Sequence, residues 1–199
     1  MAEDSSKTSG RRRGVIASVA VVAVLVGGVG LALFQPWKLF VDDVVEEDLP
    51  AASAPASASA EPAQPDPEES ASAAAEPDEP AGPVRLAEGD FISHEHTTTG
   101  SVAIVELPDG SRVLRLEDLN TSNGPDLKVW LTDAPVIEGT AGWGVFDDGR
   151  WVDLGKLKGN IGSQNYEIPA DVALEDYSSV SIWCDRFNVS FGAAELAPA

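Results

Sequence analysis

From Gly14 to Phe34 the chain reads GVIASVAVVAVLVGGVGLALF, 21 residues with no charge and with Ser18 as the one strongly polar side chain. Wound as an α-helix at 1.5 Å per residue, this run reaches about 30 Å, the hydrocarbon thickness of a bilayer. A cleavable signal peptide is the rival reading, but its apolar region is typically about 7–15 residues long and ends at a small-x-small site. Here the run leaves through Phe34-Gln35-Pro36-Trp37-Lys38, a poor cleavage sequence. Residues 14–34 are therefore expected to be an uncleaved, single-pass anchor. Arg11, Arg12 and Arg13 precede it and keep residues 1–13 cytoplasmic by the positive-inside rule, with Trp37 at the headgroups on the far side. Everything beyond the anchor is expected to be extracytoplasmic.

Charge narrows the class of partner. Lys and Arg total 13 against 33 Asp and Glu, a formal net charge of −20, and the one basic run is the anchor flank. Nucleic acid is excluded as a partner, because neutralising phosphates takes clustered cations. After the anchor, residues 50–83 contain 8 Pro, 12 Ala, 5 Ser and 7 acidic residues in 34, and no large apolar side chain. Such a segment buries too little to offset the entropy of ordering it. It reads as a disordered spacer that could stretch to about 100 Å at 3.1 Å per residue. Asp42, Asp43, Glu46, Glu47 and Asp48 carry the same acidic character back toward the anchor, so the linker is drawn as residues 35–83.

Residues 84–199 hold four of the five Trp, both Tyr, both His and the single Cys. Short alternating apolar runs recur there between turn signals: 91–94, 101–107, 112–119, 127–132, 150–154, 165–168, 179–184 and 187–191. That spacing predicts an all-β domain, a small β-sandwich or barrel, with little helix. Pro108-Asp109-Gly110 marks a hairpin, and Gly124-Pro125-Asp126 and residues 139–149 mark longer connections. Near the end the inward parity changes: Val180, Ile182 and Cys184 share one phase and Phe187, Val189 and Phe191 the other. A β-bulge at Asp185-Arg186 is expected to make that shift.

One cysteine can form no intramolecular disulfide and no multi-cysteine zinc site. Three readings of Cys184 stay open: a small buried hydrophobe, a redox thiol beside Arg186 and Asp185, or a metal thiolate. For the last, His94 and His96 alternate around Glu95 and could complete a His₂Cys set suited to copper. The polar Thr97-Thr98-Thr99-Gly100 that follows equally suits two histidines in an ordinary turn. No dinucleotide loop, nucleophile elbow or HExxH motif is present, and the pairs Glu117-Asp118 and Asp147-Asp148 read as solvated surface.

Four blocks carry a family resemblance: GDFISHEHTTTG from Gly89, Gly124-Pro125-Asp126-Leu127, LGKLKGNIGSQNYEIP from Leu154, and SVSIWCDRFNVSFGAAEL from Ser179. Together they resemble the DM-thirteen domain, also called the electron transfer DM domain, over essentially all of residues 85–196. The matching positions include Gly124, Pro125, Asp126, Trp183 and Phe187. The resemblance implies an extracytoplasmic β-rich domain whose characteristic cysteine, here Cys184, acts in redox or electron transfer. In animal relatives it accompanies DOMON and b-type cytochrome domains, neither of which this chain contains, so donor and acceptor stay unnamed. The competing expectation is a cell-surface interaction module with an inert, buried Cys184.

Overall fold

A computed structural model describes residues 4–35, 41–50 and 82–199. Helix α1 covers Asp4–Phe34. Within it Ile16–Leu33 is long and apolar enough to cross a membrane and buries none of its length against the rest of the chain. The interfacial role expected of Trp37 and the spacer at 51–81 lie outside the described residues.

The alternating runs of the C-terminal region form strands β2 (Val84–Ser93), β3 (Thr99–Glu106), β4 (Arg112–Asn120), β5 (Leu127–Thr132), β6 (Trp151–Lys156), β7 (Ile161–Ile168), β8 (Ser179–Cys184), β9 (Val189–Glu195) and β10 (Ala197–Pro198). They join one sheet in the order β7-β4-β3-β2-β9-β8-β5-β6, with β10 also on β2. The sheet bends at β2: residues 84–90 pair with β3, and Phe91, Ile92 and Ser93 pair with β9. Gly89 sits at that bend, where a Cβ would strike the Glu195 carbonyl. The curl makes a half-barrel, and its concave side holds the main core, including Leu114, Leu116, Leu131, Val180, Ile182 and Phe191. Each such fully buried side chain contributes roughly 1.5–3 kcal/mol, which is what holds a sheet of this curvature together. Pro108-Asp109-Gly110 is the expected hairpin, with Gly110 at φ 80° and its N–H donating to the Leu107 carbonyl.

All six residues of β8 are buried, because both faces of this strand are covered. Val180, Ile182 and Cys184 enter the main core, whereas Trp183 joins a second cluster with Trp130, Ala134, Phe146 and Ala193. Residues 133–149, which include the connection expected at 139–149, supply the cover on that outer side through Ala134, Val136, Val145 and Phe146.

Two expectations are corrected. The phase change after Cys184 is a tight turn over residues 185–188, closed at Asn188 with φ 50°, and not a bulge at Asp185-Arg186. The register does slip nearby, but on β9: Ile182 pairs with Gly192 and Trp183 with Ser190, so Phe191 is the extra residue. Phe187 consequently lies on the turn, 50% exposed, instead of in the core.

The folded unit also begins earlier than residue 84. Val44–Glu46, assigned by sequence to the linker, is strand β1 and pairs in parallel with β7, Val45 opposite Gly162. The acidic residues around it are anchored by Asn and basic side chains of the domain, and Leu49 packs on a third cluster of Ala103, Val105, Leu107 and Val113. Acidic composition concealed a segment whose apolar residues, Val41, Val44, Val45 and Leu49, suit an edge strand.

Candidate functional site around Cys184

Cys184 ends β8, opposite Leu127 on one side and Val189 on the other, and is fully buried. Removal from water is the main influence on its sulfur and pushes the thiol pKa above its ordinary value, since a thiolate is poorly solvated there. The backbone N–H groups of Phe187, Arg186 and Asp126 act on the sulfur in the opposite sense. Cys184 lies where two turns meet, the one at Asp126 and the one that the Phe187 N–H closes by donating to the Cys184 carbonyl at 3.2 Å. The charge on Glu95 adds to the upward shift.

Those two turns are the ones that the sequence blocks single out. The Asp185 N–H donates to the Asp126 carbonyl at 3.0 Å, tying the Gly124-Pro125-Asp126 turn to the β8–β9 turn. Gly124 is packed so closely that an added Cβ would lie 3.1 Å from Leu127 and 3.2 Å from Phe191, leaving little space for a side chain. Lys128 Nζ bridges Asp153 at 2.8 Å and Asp185 at 2.7 Å, and these carboxylates, Asp153 first, hold its pKa well above the ordinary lysine range. One carboxylate oxygen of Asp126 is shielded from water without a hydrogen bond; Lys156 Nζ stands 3.6 Å away, an ion pair slightly too long to be one.

The two histidines part company. Residues 94–96 form a bend, which breaks the strand alternation that would have aimed both rings the same way. His94 turns to the outer face, where Nε2 donates to the Ile137 carbonyl at 3.1 Å and Nδ1 accepts from Ser190 Oγ at 2.9 Å. Its ring also lies 5.6 Å from Phe146. Burial lowers the His94 pKa, so the imidazole is neutral with the proton on Nε2. His96 instead packs on Phe191, ring centroids 3.9 Å apart, on the main-core side. The sheet thus lies between His94 and Cys184, and the residues do not fit copper: among the described residues no group of three His, Cys, Asp or Glu could hold a metal ion.

Trp183, next to Cys184, points the other way. Its ring stacks on Trp130 at 4.9 Å, and Trp130 stacks on Trp151 at 5.1 Å, joining β8, β5 and β6 across the outer face. No spacing in the sequence announced this three-ring stack, because its members come from separate strands. Glu117 is taken by Arg85 at 2.8 Å and Arg115 at 3.2 Å, consistent with a surface role for that acidic pair.

A family model described as Electron transfer DM13 matches residues 90–196. No curated protein and no solved structure matches the chain.

Proposed function

The chain belongs to the electron transfer DM13 family, and from that premise we propose that it is a membrane-anchored, extracytoplasmic redox protein in which Cys184 is the reacting group. The observation that carries this reading is the position of Cys184 where the Asp126 turn and the β8–β9 turn are tied by the Asp185 N–H to the Asp126 carbonyl, within the region that the family model matches. A lone cysteine needs its second sulfur from outside. In the balanced step the Cys184 thiol loses its proton to solvent, the thiolate attacks one sulfur of a partner's disulfide, and the other partner sulfur leaves as a thiolate. Cys184 is then oxidised in a mixed disulfide, and the partner has taken up the electron pair. Access requires the turn at 185–188 to open, since the sulfur is fully buried in the closed state. An unidentified envelope protein is the redox partner in this reading.

Full burial and a raised thiol pKa favour a second reading, an interaction module whose cysteine is inert core. Thiol titration of the full-length protein in detergent separates the two. Under the redox reading Cys184 reacts with a disulfide reagent under native conditions, more slowly than a free thiol but much faster than global unfolding. Labelling that appears only with denaturant overturns it and leaves the interaction module.

A further inference from the structure

The nine residues 41–49, before the Pro/Ala/Ser segment, do more than connect. Among the described residues β1 is the one strand that pairs in parallel, and its flanks are fixed by side chains 80 or more residues away along the chain. Asn123 Nδ2 donates to Asp43 at 2.8 Å, and the Asp43 N–H donates to Asn160 at 2.7 Å. Lys158 Nζ holds both Glu47 carboxylate oxygens at 2.8 and 2.9 Å, which keeps the Glu47 pKa below its ordinary value. The surface under this strand is shaped to receive it. A Cβ at Gly159 would meet the Asp43 carbonyl, and one at Gly162, which also has φ 103°, would meet the Val45 carbonyl. The strand enters at Val41, whose carbonyl accepts from Asn123 directly before the Gly124-Pro125-Asp126 turn, which is tied to the turn after Cys184.

We infer that residues 41–49 are a clasp that holds the domain beside the end of α1, so that residues 35–40, and not residues 50–83, set how far the domain reaches from the membrane. This rests on the membrane-anchored reading above. Residues 35–40 separate α1 from the clasp, and seven Cα steps cover at most about 25 Å. A free spacer at 50–83 would allow on the order of 100 Å. The docked clasp therefore sets where the Cys184 turn can meet a partner: close to the bilayer.

The test uses the full-length chain in membranes, with a specific protease site inserted in residues 51–81. After complete cleavage the 84–199 part should stay in the membrane pellet, held through the clasp alone. The pair Asp43→Ala and Glu47→Ala removes charge-assisted hydrogen bonds and should speed its release about tenfold or more. A second variant, Val44→Cys with Ile161→Cys, places thiols at directly paired positions of β1 and β7. It should cross-link in the uncut chain and keep the cut domain in the pellet until reductant is added. Wild-type domain that enters the supernatant as fast as it is cut, or a cysteine pair that fails to close, overturns the clasp. Uncut protein in the soluble fraction overturns the membrane reading instead, while the cross-link still reports the clasp.

Discussion

At the scale of single residues, the sulfur of Cys184 and the imidazole of His94 behave in opposite ways for one cause, burial. Cys184→Ser keeps the size but places a hydroxyl in the main core, so stability should fall by about 1–3 kcal/mol in denaturant melts. The redox reading further requires that the variant, although folded, lose exchange with a disulfide reagent. For His94 the native pKa is lowered from an ordinary 6.5, so the unfolded chain takes up its proton first as pH falls. Its contribution to stability is complete above about 6.5 and is lost as pH drops toward the lowered native value. Glu47, also lowered, contributes above its ordinary 4.5 and is lost only at still lower pH. Stability measured from pH 7 down to 5 should therefore decline in the wild type and flatten in His94→Gln, whereas Glu47→Gln should leave that range unchanged. An unaltered slope in His94→Gln would mean that the pKa of this ring does not differ between the native and unfolded states.

Among the elements, β1 is the most informative because it was read as linker. A chain beginning at residue 84 leaves the β7 edge, Asn160 and Lys158 without the strand that satisfies them. Compared with residues 41–199, residues 84–199 should unfold several degrees lower in a thermal scan, the effect of losing a few net hydrogen bonds at about 1 kcal/mol each. Gly162→Ala in the longer chain should reproduce most of that loss, since the methyl meets the Val45 carbonyl in a backbone conformation disfavoured for L-residues. Equal midpoints for the two chains would show that β1 adds nothing to the domain. Each strand from β2 to β9 was legible at least in part, because two-residue alternation and turn residues are local signals, although residues 84–90 of β2 and 161–164 of β7 lay outside the alternating runs. β1 was not, since only three residues pair and their partners lie far along the chain. The same division runs through the site. Cys184 and the Gly124-Pro125-Asp126 turn stood out as sequence blocks, while the meeting of that turn with the β8–β9 turn, the divergence of His94 from His96 and the tryptophan stack depend on which strands become neighbours.

For the whole molecule the governing asymmetry is of charge and apolarity along the chain. Three arginines precede the apolar run, and beyond it the chain is strongly acidic. Translocating that acidic part and retaining the arginines is the arrangement favoured by the positive-inside rule, so the domain should lie outside with residues 1–13 in the cytoplasm. A membrane-impermeant protease added to intact cells has one long, core-less target, the segment 50–83, and cutting there should convert the chain to two fragments. The N-terminal fragment should keep an epitope placed before Arg11, because that end is sheltered. The clasp adds a second signature: the C-terminal fragment should be cut but retained at low salt, and should leave more readily in high salt, which screens the Lys158–Glu47 pair. Loss of the N-terminal epitope while the domain stays intact would reverse the orientation, because it would put the acidic half on the cytoplasmic side.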